Sequence, residues 1–244
     1  MSKLEGKVIA IIGATGGIGA PLAEMSVGSG AKVLLGSRRV PELTDLQMRI
    51  DPSGKNTLAT PTDASKPKSV LALLEEGFQE FDKVDIVIVS VGTWRQVSFE
   101  TELGDAGEAG SILANSIVIP SWNAIFESTR FLAEHGGGAV LNVSSHAVLK
   151  SEGKLKKNVY YRAAKVAVEN VIESLRPDAE KKGVRLVNLR PAIVDTPQNR
   201  KENPAVTEDQ WALAVKPITI FHWIENNADN FNLEDPEFPS KLEL

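Results

Sequence analysis

The chain has no cysteine among its 244 residues. That excludes a disulfide framework, a thiolate nucleophile and any cysteine metal site. Histidine is almost as scarce. His135, His146 and His222 are scattered, so a structural zinc site is not expected and no metal is assigned. An excess of positive charge is also missing. Lysine and arginine total 27 against 32 acidic residues, the net charge is −5, and the cations are dispersed. This argues against a nucleic-acid surface. No apolar run approaches the length of a membrane span, and Met1 to Lys7 lacks the layout of a signal peptide. The expectation is a cytoplasmic protein with no membrane partner.

What is present is ordinary for a globular α/β protein: 42% hydrophobic and 24% charged residues. The length suits one large domain. Short apolar runs alternate with helical stretches, the pattern of a doubly wound parallel sheet with helices on both faces, a Rossmann-like fold. Strands are expected at 8–12, 32–35, 57–60, 84–89, 139–143 and 184–189. Helices are expected from Ile18 to Val27, from Pro41 over Ile50, from Val70 to Phe81, from Gly107 to Glu134 with an irregularity near Pro120, and from Val159 to about Lys182, where Pro177 bends or interrupts it. The last forty-odd residues are polar, with hydrophobic islands at Trp211, 218–224 and Phe231.

The first strand runs straight into Gly13-Ala14-Thr15-Gly16-Gly17-Ile18-Gly19. Glycines let the backbone bend tightly and approach a phosphate, and the helix that follows offers free N–H groups and a partial positive charge. The spacing differs from the Gly-x-Gly-x-x-Gly fingerprint of many dehydrogenases. Ligands of an open parallel sheet sit at the carboxyl ends of its strands, so each following loop is informative. After the second strand comes Gly36-Ser37-Arg38-Arg39. An acidic residue here would suit the ribose hydroxyls of NAD. A hydroxyl and two guanidinium groups suit the 2′-phosphate of NADP(H), held by Ser37 and Arg38. The alternative is a solvated turn.

Asp63 and Ala64 follow the third strand. The carboxylate can accept from an adenine amino group, cap the next helix, or both. Gly92 follows the fourth strand, where it lets the backbone pass a cofactor or simply makes a turn. Ser144 and Ser145 follow the fifth strand, and Tyr161 and Lys165 come fifteen to twenty residues later. Four residues apart, Tyr161 and Lys165 share a helix face. A neighbouring ammonium should lower the phenol's pKa from about 10 and make it a usable general acid or base. A serine hydroxyl nearby would stabilise a developing alkoxide. Tyr160 points about 100° away and has no lysine four residues on. A surface Tyr-x-x-x-Lys pair is the common alternative.

Together these residues resemble the short-chain dehydrogenase/reductase family from Lys7 to about Thr196. The resemblance implies that Gly13, Thr15, Gly16, Gly17, Ile18 and Gly19 form the cofactor loop and that Asp63 contacts adenine. It implies that Asn115 holds a water in a proton relay and that Ser145, Tyr161 and Lys165 are catalytic, with Lys165 also holding the nicotinamide ribose. Pro191, Ile193 and Thr196 would contact the nicotinamide end. The implied activity is NADP(H)-dependent reduction of a ketone or aldehyde, reversible as alcohol oxidation, on a small-molecule substrate. A 3-oxoacyl-carrier-protein-type reductase, a non-catalytic NADP(H)-binding regulator, and a lyase, epimerase or dehalogenase on the same fold are alternatives. The regulator is disfavoured by the complete catalytic set, the dehalogenase by Lys165 and the intact glycine loop.

Residues 1–196 would form the cofactor-binding and catalytic core, and 197–244 a substrate lid and tail of the same domain. A dimer or tetramer would assemble through the long helices. Trp94, His146, Val148 and Ile193 would wall the substrate pocket. Trp211, Phe221 and Trp223 would either line it or pack the tail on the core. The sequence departs from the family at Val89-Ser90-Val91-Gly92, where Asn-Asn-Ala-Gly is frequent, and at Ala192, where glycine is usual. The interval before Tyr161 is long and carries Lys150, Lys154, Lys156 and Lys157. For a seventh strand only Ser240 to Leu244 is a candidate.

Overall fold

The computed structural model describes residues 1–95, 97, 98, 100–149, 159–231 and 235–241. Lys150, Lys154, Lys156 and Lys157 lie outside this set. Seven parallel strands form one sheet in the order β3-β2-β1-β4-β5-β6-β7. They are β1 (Val8–Ile12), β2 (Lys32–Ser37), β3 (Thr57–Pro61), β4 (Ile86–Val89), β5 (Gly138–Val143), β6 (Val184–Pro191) and β7 (Glu237–Phe238). The central strands β1 and β4 are buried at every position, as strands covered on both faces must be. Strand order reverses between β1 and β4, the switch point at which a doubly wound sheet opens a crevice.

Helices cover both faces: α1 (Gly19–Gly28), α2 (Val40–Ile50), α3 (Pro67–Phe81), α4 (Leu103–Leu113), α5 (Ile119–Glu134) and α6 (Val159–Glu180), then α7 (Pro197–Glu202), α8 (Glu208–Trp211) and α9 (Pro217–Asn227). Alternate side chains along the strands feed two cores. One face holds Ile9, Ile11, Val33, Leu35 and Leu189 against α1 and α9. The other holds Val8, Ala10, Leu34 and Val87 against α3, α5 and α6.

Three features of the fold sharpen or correct the sequence reading. The expected long helix starts at Leu103, and its irregularity is a π-helical turn over Ala114–Val118, just before Pro120. Proline has no N–H to give the carbonyl four residues back, and the ladder slips a register there: Ile119 N–H bonds to the Ala114 carbonyl. In α6, Pro177 lies inside the helix without ending it. Pro177 and Glu173 are exposed, so water can take up the carbonyl that proline leaves unbonded. The seventh strand is Glu237–Phe238; Arg190 and Ala192 N–H donate to the Pro236 and Phe238 carbonyls along it. Of the expected Ser240 to Leu244, Ser240 and Lys241 are not in a strand, and 242–244 lie outside the described residues.

The tail is tied to the sheet. Ile220, Phe221 and Ile224 of α9 are buried in the α1-side core. Trp223 packs edge-on against Phe238 and tilted against Phe231. Trp211 is buried with Ala214, against Ile193 and Val206. All three aromatics therefore pack the tail on the body of the protein. The continuous helical stretch Gly104–Glu134 meets the length and composition of a membrane span. In this fold it lies in the α/β layer, with Ala124, Ile125, Phe131 and Leu132 buried against the sheet.

Candidate active site

The glycine loop leaves β1 and turns back on itself. Gly13 has φ of 95°, and a Cβ there would lie 2.3 Å from the Ser90 carbonyl oxygen, so only glycine fits. Gly13 and Ala14 N–H both donate to the Gly36 carbonyl, at 2.9 and 3.0 Å. Gly16 N–H donates back to the Gly13 carbonyl. Ile18 precedes α1 with no side-chain cap, and Gly19 opens the helix with no acidic residue in its first turn. A helix start of this kind retains unpaired N–H donors and a partial positive charge. Gly17 faces Thr196: a Cβ would lie 2.8 Å from the threonine Cβ. The loop after β6 is thereby brought against the loop after β1.

A cavity of about 310 Å³ opens beside the glycine loop at the switch point. Gly13, Thr15 and Gly16 line it from the first loop, and Ser37, Arg38 and Arg39 from the second. Asp63 and Ala64 line it from the third, and Gly92 from the fourth. Thr62, Ser65, Thr93, Ser116 and Pro120, which the sequence reading did not assign to the site, are among the other lining residues. Thr62, Ser65, Thr93 and Ser116 each neighbour a residue that was singled out, so proximity in sequence was the available signal; Pro120 does not, and the fold alone brings it to the wall. Ser116 lies in the π turn, and its buried hydroxyl has no hydrogen-bond partner among the described residues.

The two arginines behave differently. Arg39 folds over the glycine loop: its Nη2 donates to the Thr15 carbonyl at 2.5 Å and its Nε to Thr15 Oγ1 at 3.2 Å. Arg38 lines the cavity and is exposed, and among the described residues its guanidinium makes no hydrogen bond or ion pair. The Ser37 hydroxyl lies 2.6 Å from Thr15 Oγ1 and accepts from Arg39 N–H. Asp63 Oδ1 accepts from the Ser65 hydroxyl and backbone N–H, and Lys66 stands 3.5 Å from Oδ2. The Ser65 hydrogen bond holds the Asp63 carboxyl below its ordinary range. Asp63 thus closes an Asx-turn onto Ser65 and does not cap the next helix, whose N-cap is Lys66 with no side-chain cap.

The second constellation forms where β5 ends and α6 begins. Ser145 caps a short 3-10 turn over His146–Val148, accepting from Ala147 N–H. Arg162 of α6 donates to the carbonyls of Ala147 and Val148, fixing that turn. The Ser145 side chain stands close enough to the Tyr161 phenol to lower its pKa. Tyr160 instead lies exposed, its ring over Gly110. Lys165 is buried, and its Nζ donates to the Val143 carbonyl at 2.8 Å.

The electrostatics correct one expectation. Tyr161 is half-buried, and burial pushes its phenol up while the nearby Ser145 side chain pulls it partly back. Lys165 does not lower it, because the ammonium is turned toward Val143 and stands 6.0 Å from the Tyr161 ring centre. Lys165 is itself drawn down to about 8 by burial, opposed by the Glu169 carboxylate.

Asn115 lies in the π turn with its side chain exposed, and among the described residues no hydrogen bond joins it to Lys165. Pro191 ends β6, Ile193 packs beside Trp211, and Thr196 is buried as the N-cap of α7. His146 sits 3.9 Å from Glu237 of β7.

The chain is similar to proteins of known class over most of its length. An uncharacterized oxidoreductase of Staphylococcus saprophyticus is 28% identical over 198 residues, covering 81% of this chain and 82% of the relative. An alcohol dehydrogenase from the archaeon Thermococcus sibiricus, solved with 5-hydroxy-NADP, superposes with a TM-score of 0.78 at 20% identity and covers 98% of both chains. A 7α-hydroxysteroid dehydrogenase solved with NADH superposes with a TM-score of 0.78 at 18% identity, covering 96% of this chain and 92% of that one. At such identities the structural likeness is one of fold. The model of the family described as short chain dehydrogenase matches residues 7–207, and the chain belongs to that family of oxidoreductases.

Proposed function

We propose that the protein is an NADP(H)-dependent carbonyl reductase acting on a small-molecule ketone or aldehyde, with Tyr161 as the general acid. The carrying observation is that Ser145 stands close enough to the Tyr161 phenol to lower its pKa, with the buried Lys165 one turn on along the same helix face. The residues present fit a dinucleotide: Gly13 makes room no side chain could share, α1 starts uncapped, and the Arg38 guanidinium is uncommitted among the described residues. The glycine loop with Thr15 and Ile18 would hold the pyrophosphate, Ser37 and Arg38 the 2′-phosphate, and Arg39 would border the cofactor while it holds the glycine loop through Thr15. Asp63 and Ala64 would border the adenine, Gly92 the adjoining ribose, and Pro191, Ile193 and Thr196 the nicotinamide. When bound, the cofactor supplies or accepts the hydride.

The chain's own groups manage the proton. Ser145 donates a hydrogen bond to the carbonyl oxygen and polarises it. Tyr161 gives that oxygen its proton; the raised phenol keeps the proton in place until charge develops there. Lys165, one turn along the same helix face, is assigned to the ribose hydroxyls on the resemblance. Asn115 is assigned to the proton relay on the resemblance alone. Residues 197–244 serve as lid and tail of the single domain, and the long helices carry a dimer or tetramer contact.

Replacing Tyr161 by phenylalanine tests the reading. NADPH binding, followed by fluorescence, should be unchanged, and reduction of a ketone panel at the nicotinamide absorbance should fall about 10²–10⁴-fold. Turnover within a few-fold of the parent would overturn the assignment.

A further inference from the structure

Behind Ser145 and Lys165 lies a buried ionic network that hydride transfer does not itself require. Glu169 stands one turn beyond Lys165 on α6 and is only 5% exposed. Its Oε1 accepts from the Ser144 hydroxyl at 2.5 Å. Arg190 of β6 grips the same carboxylate, with Nη2 at 2.7 Å from Oε2 and Nε at 3.1 Å from Oε1. Arg190 Nη2 also reaches Asp235 Oδ2 at 3.2 Å. The Asp235 side chain is tucked in ahead of β7, where it accepts from Arg176 at 2.7 Å and from Asn188 N–H at 2.8 Å. Asn188 in turn accepts from Asn142 of β5.

The contacts converge on two successive residues, Val143 and Ser144. Lys165 holds the Val143 carbonyl, Glu169 holds the Ser144 hydroxyl, and the Leu189 carbonyl holds Ser144 N–H at 2.8 Å. Ser145 is the next residue. An unpaired carboxylate at this depth would be strongly disfavoured, so the pairing with Arg190 is what permits Glu169 to be there. Such networks are often neutral or costly for stability compared with apolar packing. Its place beside the reacting groups therefore calls for another role.

We propose that Glu169 is a positioning residue for Ser145 and Lys165, and that Arg190 and Asp235 extend this control to the C-terminal segment. The assignment rests on the reductase reading given above. Two actions follow from the geometry. Glu169 fixes the strand end from which Ser145 projects. It also places a negative charge one helical turn from the Lys165 ammonium, which keeps that amine protonated against its burial. The charged groups facing Lys165 through this network are Glu169 on its own helix, Arg190 from β6 and Asp235 from the chain ahead of β7; Tyr161 is the other titratable neighbour.

The test compares the parent protein with Glu169→Gln, Asp235→Asn and the pair. Glutamine retains an acceptor for Ser144 but not the charge. The expected result for Glu169→Gln is a fall in kcat of about tenfold with NADPH affinity nearly unchanged, and a basic limb of the kcat–pH profile shifted at least about half a pH unit toward acid. Asp235→Asn should move kcat in the same direction, and the double variant should fall short of the product of the singles, because the residues act as one unit. Should Glu169→Gln fold poorly with Arg190 unpaired, Glu169→Gln/Arg190→Met removes both charges, and a smaller shift of the limb in the same direction is expected, because the more distant Arg190 cation only partly offsets the lost carboxylate. An unmoved limb in a folded variant, or independent effects of Glu169 and Asp235, would overturn the proposal. Lysine-selective ¹³Cε NMR, assigned with Lys165→Met, separates it from the parent reading. A protein without reductase activity refutes the reductase, while Lys165 titration that ignores Glu169→Gln refutes the positioning role.

Discussion

At the scale of single residues, the two neighbouring arginines after β2 carry different tasks. Arg39 is committed to Thr15, and so to the shape of the glycine loop. Arg38 borders the same cavity with its guanidinium unpaired among the described residues. A charge-assisted contact to a 2′-phosphate contributes about 1.5–3 kcal/mol. Arg38→Ala should therefore weaken NADPH about tenfold or more and leave NADH within about twofold, read by fluorescence titration of each cofactor. Arg39→Ala should weaken both. Equal losses of the two cofactors in Arg38→Ala would remove the 2′-phosphate assignment. The doublet itself was visible in the sequence, but the division of labour was not, since it depends on which guanidinium reaches back across 24 residues to Thr15.

At the scale of elements, the segment after β6 is held by a clasp. Asp195 accepts from Arg200 of α7 at 2.5 Å and from Lys216 just before α9. Arg200 also lies over the Trp211 ring, 5.4 Å from its centre. Val194 pairs with Val215, so the two ends of the segment are stitched side by side. The hydrogen bond from Arg200, with that from Lys216, holds the Asp195 carboxyl at about 2, below its usual 3.8. A carboxyl lowered on folding stabilises the fold above its unfolded value, and that contribution is lost as the pH falls through the folded value. The urea midpoint of the parent should therefore exceed that of Asp195→Asn by a constant margin above about pH 4, and the margin should close as the pH falls toward about 2. A margin independent of pH would show that the clasp is not ionic. Hydrophobic islands in this region were legible, but their destination was not. Trp211, Phe221 and Trp223 each meet partners that only the folded chain brings near.

At the scale of the whole molecule, α5 presents Ile119, Trp122 and Phe126 on one stripe, 40–45% exposed. Three large apolar side chains at spacings of three and four on a surface helix form the kind of face that a second copy covers. Trp122 also donates to the Ala167 carbonyl, which ties this stripe to α6. If the long helices carry the contact, the parent should run as a dimer or larger in light scattering. Phe126→Glu should shift it toward monomer and lower the melting temperature at low protein concentration, because association stabilises the folded chain. A parent that is monomeric, or a variant with unchanged mass, would place the contact elsewhere.

The sequence by itself determined the α/β class, the first six strands to within a few residues, and the candidates in the glycine loop, Ser37-Arg38-Arg39, Ser145, Tyr161 and Lys165. These are local signals: apolar runs, glycine spacing and side chains one helical turn apart. Tertiary structure decided what depends on distant partners. A two-residue β7 has no pattern of its own and exists because β6 offers it N–H donors. The π turn arises where Pro120 withholds a donor within a packed helix. The Tyr161 phenol is raised, not lowered, because burial outweighs the opposing Ser145 while the Lys165 ammonium turns to Val143. Glu169, Arg190 and Asp235 are far apart in sequence and meet only in the fold; burial makes their pairing obligatory, and no local spacing announces it.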